Sequence, residues 1–407
     1  MSAAPMVRLR DLGDWSGGNT PSKANADYWN NGTIPWVSPK DMKVHEIMSS
    51  EDCISVAALN EGRVSMVAEG SVLIVTRSGI LSHTLPVAVT KLPVTINQDL
   101  KALTPKPGVS PRYVAHALRG AGRRILNECS KHGTTVASIE TNALLDFEIP
   151  MVELDEQHRI VAEIEKQFSR LDEAVANLKR VKANLKRYKA AVLKAAVEGE
   201  LIDGTDRAGW RQMQISDVAR IISGLTKNPK RSALPRKLPY LRVANVYANE
   251  LRLDDIEHIG VADSEVEKLL LRRGDLLVVE GNGSADQIGR VAWWDGSIAD
   301  CVHQNHLIKV RLGPEVEPPW ALNWLLSPGG RHEIEQVSSS TSGLHTLSTG
   351  KIGRLPIPLP PIVQQRQIVA EVDRRLSIVR EVEAEVDANL KRAQALQQAV
   401  LARSFGG

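Results

Sequence analysis

Side chains able to form paired hydrogen bonds recur at matching places in the two halves of this 407-residue chain. The first half offers Lys40, Asp41, Arg77, Ser78, Gln98, Lys131, His132, Thr134 and Thr135. The second offers Arg242, Asn245, Asn282, Ser284, Gln304, Asn305, Ser339, Ser340, Thr341 and Ser342. Arg, Asn and Gln can each make two hydrogen bonds to the edge of a base. Hydroxyls and backbone amides suit phosphate oxygens. Any one of these residues could simply be the polar surface of a loop. Their repetition in the same order is what marks them as candidate DNA contacts.

Chemistry of other kinds finds less support. Gly281-Asn282-Gly283 begins like a dinucleotide loop, but Asp286 stands where the third glycine is required, so a strand-ending turn is the better reading. Ser348-Thr349-Gly350-Lys351 lacks the upstream glycine of a phosphate loop. No Asn-Pro-Pro-Tyr or Asp-Pro-Pro-Tyr segment is present to hold an adenine amino group. Cys301, His303 and His306 would split between the two faces of a strand and have no fourth ligand nearby. No catalytic residue and no metal site is expected.

Two long amphipathic helices must position the loops. The first starts near Leu154 and carries Ile164, Leu171, Leu178, Leu185 and Val192 at every seventh place. The second starts near Ile362 and repeats the pattern with Val372, Val379, Val386, Ala393 and Val400. Residue 372 lies 208 positions after 164, as 400 does after 192. A heptad held this long is a coiled-coil seam, and each helix is the economical partner of the other. Ala174, Val181, Tyr188, Val382 and Leu396 are expected to widen it. A basic run from Lys179 through Arg180, Lys182, Lys186, Arg187 and Lys189 to Lys194 meets no acid before Glu198. It reads equally as phosphate contact or as a solvated helix face.

The segments before the helices also correspond. Ile34-Pro35-Trp36 answers to Leu238-Pro239-Tyr240, and Glu69-Gly70-Ser71-Val72-Leu73-Ile74-Val75 to Arg273-Gly274-Asp275-Leu276-Leu277-Val278-Val279. Asn97-Gln98 answers roughly to His303-Gln304, and Ile149-Pro150 to Ile357-Pro358. Short apolar runs with Gly and Pro punctuation predict β-rich modules, while Pro111 to Cys129 predicts one helix. The chain is therefore an α+β repeat of one unit. The predicted boundaries are 1–150 for the first module, 151–200 for its helix, 201–358 for the second module and 359–407 for its helix. A net charge of +3 does not by itself argue for nucleic acid. Three scattered cysteines and the lack of any membrane-length apolar run fit a soluble cytoplasmic protein with no membrane partner.

In these features the chain resembles the specificity subunits of Type I restriction–modification enzymes. The resemblance covers essentially the whole chain. It is carried by Ile34-Pro35-Trp36-Val37-Ser38-Pro39-Lys40-Asp41, by Pro239-Tyr240-Leu241-Arg242-Val243-Ala244-Asn245-Val246, and by Gly274-Asp275-Leu276-Leu277. Glu280-Gly281-Asn282-Gly283-Ser284, His303-Gln304-Asn305-His306 and Ile357-Pro358-Leu359-Pro360-Pro361 extend it. Pro150-Met151-Val152-Glu153 departs from the pattern, without the double proline, which allows a different path into the first helix. The resemblance implies two target-recognition domains, each reading half of a split, asymmetric site in double-stranded DNA. It implies helices that pair antiparallel, space the domains and dock two modification (methyltransferase) subunits. Those partners would bind S-adenosylmethionine, restriction subunits would use ATP and Mg, and this chain would bind no cofactor. The alternative is a structural adaptor whose coiled coil tethers two protein-binding modules.

Overall fold

The computed structural model describes residues 4–131, 136–281, 287–338 and 346–405. They divide into two compact units, 1–178 with 388–407, and 179–387. Both long helices, Leu154–Val197 and Ile362–Phe405, contribute one stretch to each unit.

In the first unit a five-stranded sheet runs in the order Gly13–Gly17, Leu100–Pro105, Val72–Val75, Val87–Thr90, Glu46–Ile47. A three-stranded sheet places Ile34–Val37 between antiparallel Asp52–Ile54 and parallel Thr95–Ile96. Met6–Arg8 pairs with Glu148–Pro150 and closes the module at the helix entry. The second unit repeats this plan. Its four-stranded sheet runs Ala219–Ser223, Leu307–Leu312, Leu276–Val279, Val291–Trp293. Lys237–Leu241 lies between antiparallel Glu257–Gly260 and parallel Val302–His303. Arg211–Gln214 pairs with Pro356–Leu359.

The central strands are buried at every residue, so they read as continuous apolar runs rather than as alternating ones. A left-handed glycine precedes each, Gly70 at φ +79° and Gly274 at φ +97°. Only glycine takes that conformation without strain, and it lets the amide reach the carbonyl of Thr90 or Trp294, both at 2.9 Å. After the sheet, Pro111 and Pro318 each open a helix, where a missing N–H costs nothing.

Three expectations require correction. The segment from Pro111 to Cys129 forms two helices, Pro111–Gly120 and Gly122–Cys129. The break falls at Ala121, between two glycines of low helix propensity. The correspondence of Asn97-Gln98 with His303-Gln304 shifts by one. Asn97 N–H donates to Val37 and Gln304 N–H to Leu241, both at 2.9 Å, so Asn97 answers to Gln304 and Ile96 to His303. Finally, Val181, Tyr188, Val382 and Leu396 are 39%, 45%, 38% and 51% exposed, and Ala174 is exposed as well. They do not widen the seam, because a helix facing one other helix buries only a narrow strip.

That strip is the heptad line. Ile164, Val192, Val372, Val379, Val386 and Ala393 are buried, while Leu171, Leu178, Leu185 and Val400 are partly buried. Pairing is antiparallel within each unit. In the first, Ile164 and Phe168 pack with Leu401, and Gln397 donates to Asp172 at 3.2 Å. In the second, Val192 and Ala196 share a core with Ile368 and Val372.

Gln157 and Gln365 stitch each helix to its module. The Gln157 side chain accepts from Ser110 N–H at 2.8 Å and donates to Gly108 and Val152 carbonyls. Gln365 accepts from Glu317 N–H at 2.9 Å and donates to Glu315 and Pro360 carbonyls. Both are buried. The missing double proline before the first helix therefore leaves this junction unaltered.

Candidate nucleic-acid interface

In the first unit four of the proposed contacts, far apart in sequence, line one depression of about 850 Å³: Arg77, Ser78, Gln98 and Lys131. Arg77 leaves the buried strand Val72–Val75 and turns its guanidinium outward, 56% exposed. Its Nε donates to Asp99 Oδ1 at 2.6 Å. Asp99 is held in turn by Asn97, whose amide donates to Oδ2 at 3.1 Å and whose Oδ1 accepts the Asp99 N–H at 3.0 Å. The guanidinium is thus oriented through one nitrogen, and among the described residues no side chain binds the two terminal nitrogens needed for bidentate recognition. Ser78 Oγ caps the short helix Gly79–Ser82, and Gln98 accepts from the Thr20 hydroxyl.

Lys40 lies 2.9 Å from Asp52 and 3.0 Å from Glu51. These carboxylates raise its pKa above the ordinary lysine value and keep it cationic. Asp41 faces the chain. Its oxygens accept from Ser38 N–H, Ser38 Oγ and Glu51 N–H at 2.8, 3.0 and 2.8 Å.

In the second unit Asn245 takes the equivalent place and does the same work. Its Oδ1 accepts Arg242 N–H at 2.8 Å, and its amide donates to the carbonyls of Arg252 and Asp255. At 4% exposure it fixes the turn and cannot reach a base. Arg242 is committed to Glu257 at 2.7 Å and Asp255 at 2.6 Å. Gln304 accepts from Val243 N–H at 3.1 Å. Asn305 contacts His306, whose other ring nitrogen lies 2.8 Å from Glu280. His132, Thr134, Thr135, Asn282, Ser284, Ser339, Ser340, Thr341 and Ser342 lie outside the described residues.

Sequence reasoning missed Asp99 and the Glu280–His306 pair. The Asn-x-Asp spacing of Asn97 and Asp99 is a local signal of a side-chain-capped turn, but the Glu280–His306 contact joins residues far apart in sequence and left none. The basic run is partly explained within the chain. Lys182 pairs with Asp387 at 2.6 Å and Lys189 with Glu383 at 2.5 Å, on the facing helix of the same unit. Cys301 and His303 are buried, whereas His306 is exposed. Among the described residues no group of three or more His, Cys, Asp or Glu could hold a metal ion, and no helix is long and apolar enough to cross a membrane.

The chain is similar to known proteins. The first specificity subunit compared, that of the Escherichia coli Type I restriction enzyme EcoR124I/EcoR124II, is 42% identical over 158 residues, 39% of this chain and 39% of its own length. The StySPI specificity subunit of Salmonella potsdam is 28% identical over 75% of this chain and 67% of its own length. The EcoKI subunit of Escherichia coli strain K12 is 26% identical with the same coverage. Among solved structures, a chain from work on complex assembly and conformational transition of the type I R-M system superimposes with TM-score 0.77 at 19% identity, covering 100% of this chain and 98% of its own. The HsdS subunit from Thermoanaerobacter tengcongensis gives 0.56 at 20% identity, covering 100% and 97%. At such identities these two establish shared fold alone. The model for the Type I restriction modification DNA specificity domain matches residues 2–187 and again 207–388. The chain, carrying that domain twice on a doubled scaffold, belongs to the family of Type I restriction–modification DNA specificity subunits.

Proposed function

We propose that this chain targets a Type I restriction–modification complex to a split DNA site, each module reading one half. The supporting observation is a scaffold kept constant while its outward chemistry differs. Gln157 and Gln365, and likewise Asp41 and Asn245, make equivalent internal bonds. At the surface, Arg77 is presented on Asp99 in one module, whereas Arg242 is closed between two acids in the other. Constant support with divergent presentation is what two readers of different half-sites require.

In this reading the paired helices dock two modification subunits, and restriction subunits join them. Those partners supply S-adenosylmethionine binding, adenine methylation, and ATP- and Mg-dependent translocation and cleavage. This chain supplies address, not catalysis. The test is to replace residues 7–150 with the corresponding module of a relative and sequence the methylated sites in cells carrying the whole complex. One half of the site should change and the other persist. A change in both halves together sinks the two-reader model.

A further inference from the structure

A second concave site lies wholly within the first unit, on a different set of side chains from the Arg77 depression. It is a cavity of about 500 Å³, within the size range of small-ligand pockets. Three permanent cations line it, Lys43, Arg119 and Arg123, together with His45 and His83, and no Asp or Glu does. Arg119 is the least exposed of the three cations. Its guanidinium donates to the carbonyl of Val87 at 3.0 and 3.2 Å and to that of His45 at 3.2 Å, and lies 3.4 Å from His116 Nδ1. Among the described residues it forms no ion pair. Glu46 and Glu165, which do not line the cavity, offset part of its charge, so Lys43 and Arg123 are the exposed cations that an anion would meet.

The remaining wall is apolar. Leu85, Leu401 and Phe168 form buried surface, while Val44 and Ile80 are 50% and 41% exposed. Gln398 adds an amide that can donate and accept, while the Gln397 amide already donates to Asp172 and leaves its oxygen as an acceptor. Cations beside an uncovered apolar surface and hydrogen-bonding amides match a ligand with a phosphoryl group at one end and a flat, weakly polar ring at the other. A single phosphate would leave the apolar wall uncovered, and an uncharged ring would leave the cations unsatisfied.

We propose that this cavity binds a phosphorylated small molecule carrying a ring, with nucleoside monophosphates as the representative class. The walls Met42–His45 and Ile80–Val87 continue directly from Lys40-Asp41 and Arg77-Ser78, while Phe168, Gln397 and Leu401 belong to the long helices. A bound ligand would therefore bridge the recognition module and its helices. It is separate from the cofactors assigned above to partner subunits, and it is measured without DNA or partners.

The experiment is equilibrium binding of AMP, adenosine and inorganic phosphate to the purified full-length chain. AMP should bind at least roughly tenfold more tightly than either half, the equivalent of one charge-assisted hydrogen bond. Lys43→Glu and Arg123→Glu reverse exposed charges at the rim and should each weaken AMP by roughly tenfold or more. Lys106→Glu, exposed and outside the cavity, should leave affinity unchanged. Hydrogen exchange should show AMP protecting residues 42–45 and 80–87. AMP binding no better than phosphate, or equally well to the rim variants, overturns the proposal. So does capture of a glutamate-rich peptide by a cavity that ignores AMP, which would make it a protein-docking site. A failure here leaves the half-site reading of the module exchange untouched.

Discussion

The two modules share strand order and register around their central strands yet fill corresponding interior positions with different chemistry. In the first, Val72 stands opposite Leu103, and the next pair outward is Ser71 with Thr104, hydroxyls 2.9 Å apart. In the second, Leu276 stands opposite Val310, and the next pair is Asp275 with Arg311, joined by two contacts of 2.7 Å. Ala102 in the first module gives way to Lys309 in the second, and Ile96 to His303. Lys309 is fully buried, and its Nζ donates to the carbonyls of Lys268 and Leu270 at 2.6 and 3.0 Å. Burial pushes it down to about 8. Backbone register therefore defines where a cross-strand polar pair sits, without dictating whether that pair is neutral or ionic. The second module has the more hazardous choice, since a buried charge left alone costs far more than a lost neutral hydrogen bond.

The largest effect expected from breaking this contrast is at Arg311. Arg311→Leu leaves Asp275, which is 2% exposed, without its ion-pair partner and with the Arg272 N–H still donating to it at 2.7 Å, and should destabilise the second unit by about 3 kcal/mol in denaturant unfolding. Ser71→Ala in the first unit should cost only about 0.5–1.5 kcal/mol. Replacing both partners, Asp275→Ser with Arg311→Thr, should be milder than Arg311→Leu alone. Equal losses from all three variants would show that the ionic and neutral pairs are energetically equivalent.

Acid should act next, on one buried histidine in each module, His116 in the first and His303 in the second. His303 is buried, donates through Nδ1 to the Leu307 carbonyl at 2.8 Å, and has no partner at Nε2 among the described residues. Burial holds its pKa down at about 4, whereas an unfolded histidine titrates near ~6.5. The unfolded chain thus takes the proton first. Stability from the neutral ring is complete above ~6.5 and is lost as pH falls through 4, by on the order of 3 kcal/mol. His303→Ile imports the first module's residue and should flatten that part of the pH profile. An unchanged profile in the variant would assign the acid sensitivity elsewhere, for instance to His116, whose pKa burial lowers to about 3.

At the surface the contrast predicts different phenotypes for two arginines. Arg77→Ala should lose ~1–3 kcal/mol on the specific site and much less on random duplex. Arg242→Ala, which breaks two internal ion pairs, should lower stability of its module without altering sequence preference. Asn282 is expected to act at an adenine, with an alanine variant losing a similar ~1–3 kcal/mol on the specific site alone. Equal losses on both duplexes would make Arg77 a phosphate contact.

The smallest effect is expected in the helix pair. Lys189→Glu should destabilise by only roughly 0.2–1 kcal/mol, since the Glu383 pair is partly solvated, and adding Glu383→Lys should restore it. If the reversed pair fails to recover, the contact does not help define helix register.

Much of this protein was legible before any coordinates, for a physical reason. Periodicity is a property of one stretch of backbone, so the heptad line from Ile164 to Val192 and from Val372 to Val400 marked two long helices and the strip they bury. Left-handed turns admit few residue types, so Gly70 and Gly274 marked the entries to the central strands. The repeat itself, with Pro35 answering to Pro239 and Pro150 to Pro358, defined the doubled plan. What a side chain faces is decided by neighbours distant in sequence, and no local pattern carries that. Only the tertiary structure turned Asp41 and Asn245 inward as turn braces, left Val181 and Leu396 in solvent, and gave Ile96 the place that His303 takes in the second module. It also gathered Arg77, Gln98 and Lys131 around one depression, because three separate segments had to fold together before their charges could share a surface.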